Sequence, residues 1–181
     1  MVSLIPLPQV LRPHNFADYI GQSHLAGKDG IVTKLIASKS LPSLILWGPP
    51  GCGKTTLAHL IASQLNAHYT ALSAVTSNLA EIRKIIAEAE FRLKNFKQQT
   101  ILFIDEIHRF NKAQQDAFLP HVEKGTIILI GATTENPSFE VIGPLLSRSR
   151  VLVLHELSIE ELLRIMERGL EKLDRKINVD A

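Results

Sequence analysis

A single cysteine, Cys52, in 181 residues excludes an internal disulfide and any zinc site built on cysteines. No apolar run is long enough to cross a membrane, and no leader pattern opens the chain. The expectation is an intracellular, water-soluble protein with no membrane partner. An excess of one charge is missing too. Twenty Lys and Arg against eighteen Asp and Glu leave a net charge of +2. Global charge therefore neither demands nor excludes nucleic acid, and any basic binding surface must be local. Internal repeats and low-complexity tracts are absent. What remains is 45% hydrophobic residues, enough for a buried core, in a length that suits one domain or a domain plus the start of a second.

The chain is organised around Ser43 to Thr56, SLILWGPPGCGKTT. An apolar run (Leu44, Ile45, Leu46, Trp47) stops at Gly48, and a helical pattern resumes at Lys54. Between them stands G-x-x-x-x-G-K-T, formed by Gly48, Gly53, Lys54 and Thr55. This is a phosphate-binding loop between a strand and a helix. Its glycines let backbone N–H groups face an anion, and the next helix presents its positive dipole end to it. Lys54 is placed to reach the outer phosphates, and the Thr55 hydroxyl to ligate Mg²⁺. Cys52 occupies a variable position of the loop.

A second landmark is TILFIDE, Thr100 to Glu106. Ile101 to Ile104 are continuously apolar, as in a strand buried on both faces of a parallel sheet. Two carboxylates, Asp105 and Glu106, follow at its end, where burial without a purpose is costly. Asp105 suits the Mg²⁺ shell, and Glu106 suits general-base activation of a water. A third apolar run, Thr126 to Gly131, leads into Ala132-Thr133-Thr134-Glu135-Asn136-Pro137. Polar groups at the end of such a strand face the ligand crevice. A threonine there either orients the attacking water or forms the turn into Pro137.

The other elements frame these three. Residues 1–13 are proline-rich and read as extended, and a short helix from Asn15 to Tyr19 is capped by Asn15. Its apolar face lies over a nucleotide base or packs an N-terminal arm. Helical spacing marks residues 28–39, 54–66 and 78–96, the last capped by Asn78. His68 to Ser73 alternates as a strand. His59 falls off its helix's apolar stripe and is expected at the surface, whereas Trp47 is expected in the core. Arg83, Lys84, Arg92, Lys94 and Lys97 make one face of the third helix basic, either as a solvated face or as a nucleic-acid contact. His108 and Arg109 could relay nucleotide state or serve as caps and surface ion pairs. Asn111 caps a short helix stopped by Pro120. Asn111-Lys112 is not a guanine-reading motif, because Gln114 stands where an Asp is required. Arg148 and Arg150 precede a strand-like Val151 to Leu154; they form a surface pair, or one of them reaches a neighbouring subunit's phosphate. Ser158 and Glu161 form a capping box for a final helix, whose Leu162, Leu163, Ile165, Met166 and Leu170 are expected to be its buried face, although no partner for it is evident. The polypeptide is expected to continue past Ala181.

The order RP…YIGQ, GPPGCGKTT, ILFIDEIHRFNKAQQDAFLPHVE, IGATTENPSFE and LLSRSRV resembles the AAA+ ATPases of the clamp-loader clade. More narrowly, it is similar to the replication-associated recombination protein A family, which includes the Werner-helicase-interacting ATPase. The likeness runs from about residue 5 to 170. It implies an α/β P-loop NTPase with a five-stranded parallel sheet between helices. In that layout 1–42 form an N-terminal arm and first helix, 43–156 the ATPase core, and 157–181 the start of a helical lid. It also implies hydrolysis of ATP with Mg²⁺ at the subunit interfaces of a homo-oligomer, a tetramer or ring in the full-length protein. Implied partners are DNA forks, ends or gaps and replication and repair proteins such as a single-strand binding protein or a helicase. The implied compartment is the bacterial cytoplasm at the nucleoid, or the nucleus in a eukaryote; Met1 lying so close to Arg12-Pro13 favours the bacterial form.

By position, the resemblance gives ATP contacts at Gly48, Pro49, Pro50, Gly51, Cys52, Gly53, Lys54, Thr55 and Thr56. It gives an adenine-pocket segment at Ile20 and Gly21, and Mg²⁺ ligands at Thr55 and Asp105. The catalytic positions are Glu106, Thr134 as sensor one (Thr133 is the alternative) and Arg148 as a trans-acting finger. The lid's second sensor and the family's tetramerisation region lie beyond this sequence. A small-molecule P-loop kinase fits less well, since the acid pair and the second polar strand end suit water activation. A scaffold switched by nucleotide would need the same residues as a motor.

Overall fold

The computed structural model describes residues 11–38 and 40–172. Five strands, β1 (Ser43–Trp47), β2 (His68–Ser73), β3 (Thr100–Asp105), β4 (Ile127–Thr133) and β5 (Ser149–Val153), form one sheet in the order β2-β3-β4-β1-β5. Every pairing is parallel. The helices are α1 (Ser23–Ala26), α2 (Ile31–Ala37), α3 (Lys54–Gln64), α4 (Leu79–Phe96), α5 (Lys112–Asp116), α6 (Leu119–Glu123), α7 (Pro137–Glu140), α8 (Gly143–Leu146) and α9 (Ile159–Lys172). Single 3₁₀ turns span Phe16–Asp18 and Ile107–Arg109.

The central strands are apolar throughout because both faces are covered. Successive side chains point to opposite faces, and the core divides accordingly. Leu44, Leu46, Ile101, Phe103, Ile128 and Ile130 pack with Leu57 and Ile61 of α3 and Val32 of α2. Ile45, Leu102, Ile104, Ile127 and Leu129 pack with Ile82 and Ile86 of α4 and with Phe118. Capping sets the helix starts: Asn78 Oδ1 accepts from the Glu81 amide at 3.0 Å, and the Asn111–Gln114 box is closed in both directions.

Several elements differ from the sequence-based expectation. Pro120 does not end the helical stretch; it sits in the first turn of α6, where its missing N–H is harmless. β4 runs two residues past Gly131, because Ala132 and Thr133 pair with Leu46 and Trp47. β5 begins at Ser149, opposite Ser43. Trp47, at the end of β1, is half-buried, not core. His59 is half-buried as well, stacked on Tyr69 with ring centroids 3.8 Å apart. The α9 capping box forms between Ser158 and Glu161, but its apolar face is open. Leu162, Leu163, Met166 and Leu170 are exposed, since among the described residues little packs on them beyond Leu11 near Gly169. The readings that fall on residues 1–10 and 173–181 lie outside the described residues.

Candidate functional site

The loop from Gly48 to Gly53 joins β1 to α3 at the C-terminal edge of the sheet. Gly53 is the N-cap of α3 at φ 99°, a region that disfavours a side chain, and a Cβ there would lie 2.7 Å from the Tyr19 hydroxyl oxygen. Gly48 has no room either, since its Cβ would overlap the Leu154 carbonyl. Lys54 is buried, and its Nζ donates to the carbonyls of Gly48 at 2.7 Å and Pro49 at 2.8 Å. The ammonium is therefore held over the loop that its own backbone shapes. Thr55 and Thr56 follow in the first turn of α3, both half-buried. Cys52 is buried, and its thiol pKa is raised, mainly by burial.

β4 lies between β1 and β3, so the loop and the acid pair are two strand spacings apart, roughly 10 Å. Asp105 ends β3, and Glu106 turns out of it with φ 55° and ψ 47°. A glutamate in the left-handed region carries a cost of about 1–3 kcal/mol and persists only where its surroundings hold it there. Ile107, fully buried against Gly131 of β4, supplies that hold. Thr133 closes β4 between the two sites: its carbonyl accepts from the Gly48 amide at 3.2 Å. Thr134, the first residue past the strand, is half-buried.

Beside the loop lies a cavity of 340 Å³, lined by Ile20, Tyr19, Gly51, Gly53 and Thr56 and closed by Leu157, Ile165 and Arg168. Its walls are mostly apolar, its volume suits a ligand the size of a nucleotide base and sugar, and it opens at the phosphate loop. Ile20, one of the two positions that the resemblance assigns to an adenine pocket, lines this cavity. Gly21 is adjacent but faces the linker, against Leu157. Burial, with some help from Cys52, pushes the Tyr19 hydroxyl pKa upward, so it stays a neutral donor to the Gly53 carbonyl at 3.2 Å. Arg168 of α9 ties this wall to the arm, donating to the Asp18 carbonyl at 2.7 Å.

Arg148 is not brought to this crevice. It precedes β5 at the opposite edge of the sheet, one five-residue strand or about 16 Å from the loop level. There it meets Glu123 at 2.6 Å and the Pro144 carbonyl at 2.8 Å.

One participant escapes the sequence reading, and another, His108, stands there between a relay and a surface role. Gln22 is 6% exposed; its Nε2 donates to the carbonyls of His155 (2.7 Å) and Cys52 (3.3 Å), and its Oε1 accepts from the His155 amide (3.0 Å). It joins the arm, the phosphate loop and the linker to α9. His108 connects Glu106 to Thr133. Gln22 acts only over long sequence separations and nothing local marks it, whereas His108 combines a partner two residues away, Glu106, with one 25 residues away, Thr133.

No cluster of three or more His, Cys, Asp or Glu side chains that could hold a metal occurs among the described residues. Mg²⁺ does not need one: it keeps several waters and takes one or two protein oxygens plus phosphates. The hydroxyl of Thr55 and the carboxylate of Asp105 are hard oxygen donors of that kind. No described helix is long and apolar enough to cross a membrane.

A glycine loop after β1, an acid pair ending β3 and a polar end to the strand between them define a P-loop nucleotide-binding fold. The comparisons narrow the class. The chain belongs to the family described as the Holliday junction DNA helicase RuvB P-loop domain, whose model matches residues 11–145. It is 51% identical over 177 residues to the replication-associated recombination protein A of Coxiella burnetii, covering 98% of this chain and 40% of that protein. The Escherichia coli K12 protein of the same name is 52% identical, with 94% and 38% covered. ATPase WRNIP1 of Dictyostelium discoideum is also 52% identical, with 98% and 21% covered. The solved Thermotoga maritima RuvB branch-migration motor superposes with a TM-score of 0.74 at 32% identity, over 91% of this chain and 55% of that one. The chain thus spans about two fifths or less of these three curated relatives.

Proposed function

We propose that this chain binds ATP with Mg²⁺ and hydrolyses it to drive an oligomeric, DNA-associated machine of replication-fork maintenance, recombination and repair. One observation carries the reading: Lys54 and Thr55 on one side of Thr133, and Asp105 and Glu106 on the other, all at the C-terminal edge of one parallel sheet. Mg²⁺ held by Thr55 and Asp105 would neutralise phosphate charge. The Gly48–Gly53 backbone and Lys54 bind the phosphates, and the cavity at Ile20 takes the base. Glu106 takes a proton from the attacking water, and Thr134 orients that water against the terminal phosphate. Arg148 serves a neighbouring copy's nucleotide, and α9 begins a lid over the base. DNA forks, ends or gaps are the proposed substrates, in keeping with the names of the relatives; a single-strand binding protein or a helicase is the kind of partner expected.

Two variants test the core of this reading. Lys54→Ala should abolish ATP binding, and micromolar affinity in that variant would remove the loop assignment. Glu106→Gln should bind ATP normally and turn over roughly 10² to 10⁴ more slowly. Hydrolysis should also rise on addition of forked DNA; indifference to every DNA structure would detach the ATPase from the proposed substrate.

A further inference from the structure

We infer that His108 is the positioning residue for Glu106, coupling its carboxylate to the turn after β4. The inference rests on the hydrolysis reading above. The His108 side chain is 8% exposed and uses both ring nitrogens: Nε2 lies 3.2 Å from Glu106 Oε2, and Nδ1 lies 3.0 Å from Thr133 Oγ1. For a neutral ring, proton counting gives the direction. A carboxylate oxygen only accepts, so the neutral ring carries its hydrogen on Nε2 and donates to Glu106. Nδ1 is then an acceptor and takes the Thr133 hydroxyl proton at 3.0 Å in competition with the Glu135 carbonyl, which lies 3.2 Å from the same oxygen. The Thr133 oxygen meanwhile accepts from the Glu135 amide at 3.0 Å. The relay runs from the Glu135 amide through the Thr133 hydroxyl and the His108 ring to the Glu106 carboxylate. It spans the two residues that flank Thr134.

The backbone supports the same conclusion. Glu106 is strained at φ 55°, and Ile107 pins the following turn against Gly131. The main chain is thus held, but the glutamate side chain still has its own rotamers. Among the described residues, the His108 ring meets that carboxylate at 3.2 Å. A displacement of the β4 turn, when Thr134 engages phosphate, would be transmitted to Glu106 through the imidazole.

The test separates this role from packing. His108→Phe keeps the ring volume but loses both contacts, and His108→Asn keeps only a polar atom near the Nδ1 position. His108→Gln can still donate to Glu106. Outer partners of metal ligands change activity by about 10- to 100-fold, and a partner that positions a general-base carboxylate is expected to act on a similar scale. We expect kcat to fall at least about tenfold in the Phe and Asn variants and to stay within about threefold in the Gln variant, with ATP affinity unchanged in all three. Adding His108→Phe to Glu106→Gln should slow turnover no further, since the two act as one unit. Wild-type turnover in His108→Phe, or equal losses in the Asn and Gln variants, would overturn the inference. If Glu106→Gln itself were as fast as wild type, the hydrolysis reading would fail first. A readout independent of turnover is the ¹⁵N spectrum of the His108 ring at pH 8: the Nε2–H tautomer is expected, and the Nδ1–H tautomer would refute the relay.

Discussion

Gln22→Ala tests how the arm, the phosphate loop and the α9 linker are joined. The substitution removes three hydrogen bonds: 2.7 Å and 3.0 Å to the His155 backbone and 3.3 Å to the Cys52 carbonyl. Alanine keeps the Cβ, so the positive φ of 54° is equally strained in both proteins and cancels. Each bond nets about 1 kcal/mol, and the longest contributes least. His155 is exposed, so water can partly replace its two bonds. The loss is therefore about 2–3 kcal/mol, which lowers Tm by roughly 5–10 °C for a chain of this size. Loosening Cys52 alone, at up to about 1 kcal/mol, should weaken ATP binding roughly three- to fivefold. Thermal unfolding with and without ATP reads both effects. Gln22→Glu should be worse than alanine at pH 7, because its carboxylate faces two carbonyls. Burial raises the folded pKa of that acid above its unfolded value, so the penalty applies above the folded pKa and is relieved as pH falls and the acid becomes a donor. A Gln22→Ala protein that melts within about 2 °C of wild type and binds ATP as tightly would refute the clamp.

Arg148→Ala should bind ATP normally and hydrolyse it slowly, and mixing it with Glu106→Gln should restore part of the activity; a mixture as slow as either parent would argue against a shared site. His59, desolvated on Tyr69 and repelled by Arg12, has its pKa lowered to about 4 from 6.5. The unfolded chain therefore takes up this proton first, so stability is full above pH 6.5 and is lost as pH falls toward 4. His59→Gln should flatten that slope in urea unfolding between those limits, and an unchanged slope would remove His59 as its source.

How much was legible depended on whether a signal is local. β3 ends at Asp105 as its apolar run indicates, and β2 spans His68–Ser73 as its alternation does. Asn78, Asn111 and Ser158 cap helices because their partners lie three residues away. Pro120 was ambiguous, since the residue that stops one helix also fits the first turn of another. Ala132 and Thr133 resembled a turn, and only their pairing with β1 makes them strand. The α9 stripe has the same spacing whether or not anything covers it. Gln22 has no local signature, since its partner His155 lies 133 residues away; His108 stands two residues from Glu106, but its second partner, Thr133, is 25 residues away and only the fold brings it near.

Strand polarity also dictates how the proposed site must be completed. In a parallel sheet all C-terminal ends share one edge, and Lys54, Asp105, Glu106 and Thr133 collect there. Arg148 stands at the opposite edge, a strand length away and beyond the reach of its own side chain. If it contacts a terminal phosphate, that nucleotide belongs to another copy. Packing the lower edge of one copy against the upper edge of the next is a heterologous contact, which closes into a ring when the rotation allows. The Glu123 pair is little obstacle. Both side chains are more than 40% exposed, and such surface pairs contribute only about 0–1 kcal/mol. The guanidinium can therefore leave Glu123 for a phosphate at small cost, whereas neither Lys54 nor Glu106 can leave the edge to which its strand commits it.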